Sequence, residues 1–337
     1  MLSYQFSSVF TKIGFLLTFM SNFFLIYLTL FHIKNVFGTY RRMVIYFTTV
    51  GIIFAGLEIV ARPFAQNYNQ HIMYFSLNEW IKSQELCQVV LVIWAGIYII
   101  IVAFISVQFY YRYVCLLFPK RTKNFDGWKT MIWMGYPFLP ASIYAGTLYF
   151  FCLPDENGDE SLKDYVLEHY HLDIKDIPRF EITPLDANGL RLKNVSFMIT
   201  GLLIMFIHYF VILYCGLRMN HNICDALNKM SQGQQKIQRQ FFRALVIQSL
   251  GPTIFLILPV APIFAMPFVS LYLDIAISVK TGWLYSLVGL FPPFDSISFM
   301  WIVSEYRRVI KNKLLLLINT IPESPRNTSQ MKVIDKN

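Results

Sequence analysis

One apolar stretch constrains this chain more than any other feature. Residues 86–111 carry no charged side chain, and the stretch ends at Arg112. As an α-helix these positions would span roughly 39 Å, at a rise of about 1.5 Å per residue. The hydrocarbon core of a bilayer is about 30 Å thick, so such a helix is long enough to cross it even when tilted. The stretch therefore predicts a transmembrane helix.

Six further apolar runs follow the same pattern, with charged connections between them. Only 15% of the residues are charged, whereas a soluble chain carries about 25%. We expect an all-α membrane protein whose residues 1–310 form a seven-transmembrane helix bundle, followed by a tail at 311–337. The first run is too long for the core of a cleavable signal, so we expect it to be retained. The predicted helices cover about residues 10–33, 43–62, 86–111, 130–152, 195–217, 244–268 and 281–303.

The basic residues are distributed unevenly between the two sides of this predicted bundle. Of the 29 lysines and arginines, 20 fall in the connections on one side or in the tail. Cytoplasmic loops carry an excess of Lys and Arg, so we expect an extracellular N-terminus and a cytoplasmic C-terminus in a multi-pass plasma-membrane protein. This asymmetry explains the net charge of +9. No basic patch lies on a soluble domain, so we expect the lipid bilayer and no nucleic acid as a partner.

The longest connection, residues 153–192, lies on the predicted extracellular side and contains ten carboxylates. Its length exceeds that of ordinary connections, which favours a functional or partly disordered segment. Two interpretations stay open: a lid over an outer pocket, and a solvated acidic loop.

Two cysteines lie at helix ends on the same predicted outer face. Cys87 begins the third helix and Cys152 ends the fourth. An oxidising exterior permits a disulfide between them. The alternative is two free thiols, because the separation of the two Cα atoms cannot be read from sequence.

Catalytic chemistry has no support in the sequence. The chain has no HExxH, GxSxG or CxxC motif and no phosphate-binding loop, and its six histidines are not spaced as a metal-binding set. We therefore expect no enzyme activity, no cofactor and no metal site.

Two carboxylates fall inside predicted membrane helices, where an ion is costly and usually faces a polar interior. Asp295 follows two prolines in a broken segment, and we expect it in a buried polar network with Asn22. For Glu58 the sequence favours a local ion pair with Arg62, four residues further along the helix. A place for Glu58 in the buried network is the alternative.

The sixth predicted helix is interrupted by proline, which removes a backbone hydrogen bond and kinks a helix. A kink above a basic cytoplasmic end makes a lever, so Pro252 is a candidate switch residue. The prolines of this run are Pro252, Pro259, Pro262 and Pro267.

Four short strings, in their order and spacing, carry a resemblance to a known family. They are GTYR at 38–41, QFYYRY at 108–113, the glutamine- and phenylalanine-rich run at 238–259, and FPPFDS at 291–296 followed by YRR at 306–308. Over about residues 35–310 the chain resembles the nematode serpentine chemoreceptors of the Str superfamily, most closely the Str and Srj classes.

The resemblance implies a G-protein-coupled receptor that reads odorants or pheromones in the cilia of chemosensory neurons and signals to a heterotrimeric G protein. In that picture Arg112 is similar to the arginine of the DRY box in other receptors, although Tyr111 occupies the place of the acid. Asp295 looks like the polar node of the seventh helix. The candidate coupling and switch residues are Arg112, Tyr113, Arg239, Arg243, Asp295 and Pro252.

Trp94 and Tyr98 are the predicted ligand-binding residues, because they lie one helical turn apart in the outer half of the third helix. A small, apolar ligand that binds one bundle arrangement better would shift the population toward it. A packing or lipid-facing stripe is the alternative for either residue. For the whole chain, the alternatives are a seven-helix ligand-gated channel and a multipass transporter. The charge asymmetry opposes the first, and the lack of an internal repeat opposes the second.

Overall fold

The first part of the chain builds three long helices, a β-hairpin and a divided fourth segment. The computed structural model describes residues 2–33, 38–68, 70–78, 80–186, 189–228, 231–273, 278–279 and 287–320. The elements are α1 (Leu2–Phe31), α2 (Gly38–Ala61), β1 (Pro63–Tyr68), β2 (His71–Ser76), α3 (Gln84–Leu117), a 3-10 segment (Pro119–Phe125), α4 (Lys129–Gly135) and α5 (Phe138–Phe151).

The second part carries a short helix and strands before the remaining long helices. The elements are α6 (Glu156–Tyr170), a 3-10 turn (Ile174–Asp176), β3 (Arg179–Ile182), β4 (Leu185–Asp186), β5 (Gly189–Leu190), α7 (Leu192–Asn228), α8 (Gln232–Pro252), a π-helical turn (Thr253–Ile257), α9 (Leu258–Leu273), β6 (Ser278–Val279), α10 (Phe291–Ile302) and α11 (Ser304–Thr320).

Five helical segments of the described chain are long and apolar enough to cross a membrane. They are Val9–Phe31, Gly38–Ala61, Gln84–Leu117, Leu192–Asn222 and Gln232–Ser270. The fourth predicted span is divided between α4 and α5. The seventh corresponds to α10, and its predicted first residues, 281–286, lie outside the described residues.

Helix α3 forms the centre of the bundle and packs against α2, α5, α7 and α8. Neighbours surround it on most sides, which explains why its apolar residues show no single face: a helix that is apolar all round is a buried one. Ser83 caps its N-terminus by accepting a hydrogen bond from the Leu86 N–H at 3.2 Å. The end of the bundle next to Ser83 is called the sheet end below, and the opposite end of α3 is called the Arg112 end.

The predicted fourth helix, 130–152, is wrong as a single helix. α4 ends at Gly135 and α5 begins at Phe138, with Pro137 between them. Proline has no N–H for the helical ladder and clashes with the preceding turn, so the helix breaks here.

The fifth and sixth predicted helices are both too short. α7 runs on to Asn228, and α8 begins at Gln232, well before the predicted start at 244. Directly after Pro252 the sixth segment widens into the π-helical turn before α9 continues. The missing N–H of Pro252 interrupts the regular ladder at this point, and π-turns of this kind are one cause of helix kinks.

The described residues of the predicted acidic loop 153–192 include a helix, a 3-10 turn and three short strands. β1, β2 and β3 join β6 in one antiparallel sheet, in the order β3-β2-β1-β6. The register places Tyr74 opposite Phe180. α6 lies on this sheet, and its Leu162 and Val166 pack with Phe75 in a second hydrophobic core.

The predicted disulfide is absent, because Cys87 and Cys152 are both free, buried thiols. The Cys87 thiol hydrogen-bonds with Ser76 at the end of β2. The backbone carbonyl of Cys152 accepts a hydrogen bond from the Glu181 N–H at 2.8 Å. The two cysteines therefore contact two neighbouring strands, β2 and β3, and do not bond to each other.

The predicted boundary between bundle and tail, at residue 310, falls inside α11. This helix begins at Ser304 and continues to Thr320. The rest of the predicted tail, 321–337, lies outside the described residues.

Candidate ligand pocket and switch site

A cavity of about 50 Å³ lies under the sheet, among the helices of the sheet end. None of the described residues that line it is charged. Six of the fourteen lining residues are aromatic and the others are aliphatic. Three of the aromatic residues carry a hydroxyl group, which suits a neutral ligand with few hydrogen-bonding groups. The lining residues are Ala65, Ile72, Tyr74, Trp94, Ala95, Tyr98, Tyr144, Leu148, Ile182, Phe197, Val260, Ile263, Phe264 and Val288.

The two predicted ligand-binding residues, Trp94 and Tyr98, both line this cavity. Residues four apart share one face of a helix, and this face of α3 points toward α5 and α9. Trp94 is 4% exposed and stacks on Phe54 of α2, with ring centroids 5.0 Å apart. The Phe54 ring therefore packs against the Trp94 indole, which also forms part of the cavity wall.

Strands β1, β2 and β3 form the roof of the cavity through Ala65, Ile72, Tyr74 and Ile182. The Asn67 amide of β1 donates to the Ile263 carbonyl of α9 at 2.6 Å. The Tyr74 hydroxyl donates to the Leu91 carbonyl of α3 at 3.2 Å. These bonds attach the sheet to the helices whose side chains form the walls.

A buried charge cluster holds β3 against α6. The Arg179 guanidinium is 5% exposed, pairs with Asp159 and donates to Glu181 Oε1 at 3.2 Å. It also donates to the carbonyl oxygens of Ile174 and Ile177. Burial raises the pKa of Glu181 to about 7, against the opposing effect of Arg179, and Asp159 raises it further. The Glu181 carboxyl group is therefore partly protonated near neutral pH.

At the Arg112 end, the Arg112 side chain lies in an aromatic cage. It is 4% exposed. Its guanidinium carbon lies 3.5 Å from the ring centroid of Tyr40 in α2 and 4.2 Å from that of Phe241 in α8. Nε and one terminal nitrogen have no hydrogen-bond partner among the described residues. Ring quadrupoles thus take the place of an acidic partner and stabilise the cation.

Further aromatic rings connect this cage to the end of the seventh helix. Phe299 of α10 lies 6.3 Å from Phe241 and 5.4 Å from Tyr306, measured between ring centroids. The Tyr306 hydroxyl is 2.9 Å from Thr29 Oγ1 of α1. Rings of α2 and α8 therefore contact the Arg112 cation, and Phe299 of α10 and Tyr306 of α11 connect these rings to α1.

The other predicted coupling residues lie apart from the cage. Tyr113 faces α7, where its ring centroid is 6.1 Å from that of Tyr214. Arg239 and Arg243 are exposed and line a groove between α7 and α8. Pro252 is buried at the end of α8, next to the π-helical turn.

Asp295 is 4% exposed and lines a small buried cavity together with Asn22, the residue that the sequence places in the same network. The Asn22 amide donates to the Thr48 carbonyl at 3.1 Å, and the Ser296 hydroxyl donates to Asn22 Oδ1 at 2.5 Å. Asp295 hydrogen-bonds with Gln248 of α8, while its Oδ1 has no partner among the described residues.

Glu58 is not the interfacial residue that the sequence favours. It is 5% exposed, and its carboxyl group hydrogen-bonds with Thr11 of α1. A Cβ added at Gly289 would come within 2.7 Å of Glu58 Oε1, so glycine is needed there for the close approach. Glu58 thus connects α2 to α1 and to the residues that precede α10.

Sequence reasoning missed Tyr40, Phe241 and the sheet. The two rings that contact Arg112 belong to α2 and α8, whereas Arg112 belongs to α3. No residue spacing within one helix could therefore predict them. The only signal was the strings themselves, since GTYR contains Tyr40 and the run at 238–259 contains Phe241. Asn194 was also missed as a structural residue: its amide donates to the Phe151 carbonyl at 2.6 Å, and its Oδ1 accepts from the Thr183 N–H.

Comparison with known proteins gives consistent results along the whole chain. The family described as "Serpentine type 7TM GPCR chemoreceptor Str" matches residues 7–311. A relative from Caenorhabditis elegans, "G-protein coupled receptor str-33", is 32% identical over 309 residues, which are 89% of this chain and 88% of the relative. "Serpentine receptor class r-10" of the same species is 25% identical over 321 residues, covering 94% and 93%.

Solved structures show the same fold. The crystal structure of squid rhodopsin aligns with a TM-score of 0.57 over 96% of this chain and 88% of that chain, at 10% sequence identity. The predicted seven-transmembrane architecture and the predicted resemblance are both confirmed. By its match to the family over nearly its full length, the chain belongs to the Str family of serpentine seven-transmembrane G-protein-coupled chemoreceptors.

Proposed function

We propose that this chemosensory receptor detects a small, neutral, largely apolar molecule in the cavity under the sheet. The observation that carries the proposal is the convergence of Trp94 and Tyr98 on a cavity with aromatic walls and no charged lining residue among those described. Aromatic rings offer dispersion contacts to an apolar ligand, and the tyrosine hydroxyl groups offer a few oriented hydrogen bonds. Odorants and pheromones of low polarity fit this description.

The proposed switch is the release of Arg112 from its aromatic cage. Ligand binding shifts the population toward a bundle arrangement in which α8, and with it Phe241, moves away from α3. The Arg112 donors without partners then become available to a heterotrimeric G protein at this end of the bundle. Pro252 and the π-helical turn lie between the cavity residues of α9 and the cage residue of α8, which supports a hinge at that point.

The proposed orientation places the sheet end outside the cell and the Arg112 end in the cytoplasm. The excess of basic residues toward the Arg112 end supports it. We propose the plasma membrane of chemosensory cells, by family the cilia, as the location. A glycosylation tag at residue 2 would be modified in this orientation, and one at the C-terminus would not. The opposite pattern would overturn the proposed orientation.

A ligand screen with a G-protein readout tests the function directly. Cells that express the full chain would be exposed to a library of neutral volatile and apolar compounds, alongside charged compounds of similar size. We expect responses confined to neutral compounds, and loss of those responses in Arg112→Ala at equal surface expression. Full signalling by Arg112→Ala would overturn the proposed switch, and responses confined to charged compounds would overturn the proposed ligand class.

A further inference from the structure

A groove of about 720 Å³ runs between α7 and α8 near the Arg112 end. Phe109 of α3 forms its floor, where a Cβ at Gly216 of α7 would come within 3.4 Å of the Phe109 ring. The groove is within the size range of small-molecule sites in proteins. It is separate from the cavity under the sheet, with which it shares no lining residue.

One wall of the groove is apolar and faces outward from the bundle. Leu213 and Leu217 of α7 are 60% and 68% exposed, and Val246 of α8 is 37% exposed. In a seven-transmembrane bundle, apolar side chains that point away from the other helices face lipid acyl chains. This wall therefore suits a hydrocarbon chain.

The polar end of the groove carries two arginines. Arg239 and Arg243 lie one helical turn apart on α8, so their guanidinium groups can approach one anion together. Neither has an ion-pair or hydrogen-bond partner within the described part of the chain, and no carboxylate is among the described lining residues. The groove thus combines unneutralised positive charge with an apolar wall.

We propose that the groove binds a phospholipid with an anionic headgroup, whose phosphate lies between Arg239 and Arg243 and whose acyl chain covers Leu213, Leu217 and Val246. Arginine donors match the oxygens of a phosphate, which favours it over a neutral headgroup. In the proposed orientation this end meets the cytoplasmic leaflet, where anionic lipids concentrate. The inference concerns the resting receptor and uses the proposed orientation only to select the leaflet.

A phosphatidylserine with a photoreactive acyl chain tests the site. The purified full chain would be reconstituted in phosphatidylcholine vesicles that contain a minority of this probe in both leaflets, so the result does not depend on orientation or on signalling. After illumination, mass spectrometry would locate the labelled residues, and competition with unlabelled phosphatidylserine would give the affinity. We expect labelling on α7 and α8 around Leu213, Leu217 and Val246.

Two double variants and one filling variant separate the contributions of charge and shape. Arg239→Gln with Arg243→Gln removes both cations, and we expect about a 30-fold loss of affinity from two basic residues near an anionic headgroup. Lys120→Gln with Lys123→Gln removes two exposed cations at the same end but outside the groove, and we expect no change. Val246→Trp keeps both arginines and places a bulky ring on the apolar wall of the groove, and we expect labelling around Leu213 and Leu217 to fall.

Three results would overturn the proposal. Equal losses in the two double variants would mean attraction to the basic end in general. Unchanged labelling in Val246→Trp would mean that the acyl chain does not occupy the groove. Equal labelling by a photoreactive phosphatidylcholine would mean that the headgroup charge is not recognised. A thermal unfolding midpoint measured for each variant shows that the compared proteins are folded.

Discussion

The guanidinium carbon of Arg112 lies 3.5 Å from the centre of the Tyr40 ring, on the side of α3 that faces α2. The Phe241 ring lies beside the Tyr40 ring, with its centroid 4.2 Å from the guanidinium carbon and 5.0 Å from the Tyr40 centroid. A buried cation against an aromatic ring is stabilised by about 2 kcal/mol or more in a desolvated site. Because one ring belongs to α8, this energy opposes any movement of α8 away from α3.

Removing the Phe241 ring should therefore raise basal signalling. Phe241→Leu keeps an apolar side chain but removes the ring, and losing about 2 kcal/mol of resting-state stabilisation shifts the conformational equilibrium roughly 30-fold toward the open state. A ligand-free G-protein assay at equal surface expression measures the effect. Phe210→Leu, at a ring that is 59% exposed, is the matched control. Basal activity equal to that of the parent in both variants would contradict the cage as a restraint.

Trp94→Ala should weaken the response to a neutral ligand far more than Trp301→Ala. Trp94 lines the cavity, whereas Trp301 is 73% exposed on the bundle surface. Truncating a large aromatic contact in a buried site costs about 2 kcal/mol or more, or at least about 30-fold in the half-maximal concentration. A dose–response curve for any active compound from the screen makes the comparison. Similar shifts in the two variants would contradict the assignment of the cavity as the ligand site.

The Asn22 cluster should be important for stability. Asn22→Leu removes the hydrogen bonds to Thr48 and Ser296 in a fully buried position and leaves polar groups without partners, at a cost of about 1–3 kcal/mol. We expect a lower thermal unfolding midpoint in detergent. Asn222→Leu is the control, because within the described residues that amide donates to the Arg218 carbonyl of its own helix and to no other element. An Asn22→Leu protein as stable as the control would show that the cluster contributes little.

The stability of the sheet end should fall as pH rises from about 5 to about 7. The folded-state pKa of Glu181 is about 7, because burial disfavours its charged form, and an unfolded glutamate titrates near 4.3. Between these values the folded protein binds more protons than the unfolded chain. The stabilisation is complete below the unfolded value and is lost as pH rises through the folded one, by about 4 kcal/mol at most.

Glu181→Gln isolates this effect, because glutamine cannot ionise. We expect the variant to have the same thermal unfolding midpoint as the parent near pH 5 and a higher midpoint near pH 8. Glu168→Gln changes an exposed carboxylate on α6 and should follow the parent at both pH values. A Glu181→Gln variant with the same pH dependence as the parent would rule out this carboxyl group as the source.

Reducing agent should leave the receptor unaffected, because Cys87 and Cys152 are free thiols. We expect the same unfolding midpoint with and without dithiothreitol. Intact-mass measurement after alkylation in denaturant should show both residues modified without prior reduction. Protection of the pair until reductant is added would contradict the free thiols.

The sequence predicted those features that leave a signal along a single helix. Residues 86–111 were identifiable because contact with lipid and contact with other helices both demand apolar side chains. Trp94 and Tyr98 were identifiable as pocket residues because a four-residue spacing places them on one face. α7 and α8 extend beyond their apolar runs into polar sequence. The apolar pattern does not reveal these ends, because a helix satisfies its own backbone hydrogen bonds whether its side chains are polar or apolar.

Features that depend on distant pairings were not predictable in the same way. The sheet joins β2 to β3 across α3, α4, α5 and α6, and short strands of this kind leave only a weak local pattern. The partners of Arg112 come from α2 and α8, so its cage appears only when the helices are assembled. The disulfide prediction was wrong for the same reason. The positions of two helix ends in the sequence do not reveal that each cysteine contacts a strand instead of the other cysteine.

The sheet that roofs the cavity has a consequence for how a stimulus arrives. Three hydrogen-bonded strands cover the cavity at the sheet end. An apolar molecule that has dissolved in the bilayer would instead approach the cavity between the helices. For a ligand of the proposed class, sensitivity would then follow the amount of the compound dissolved in the lipid rather than its aqueous concentration. Compounds of equal fit would rank by their membrane partition coefficients.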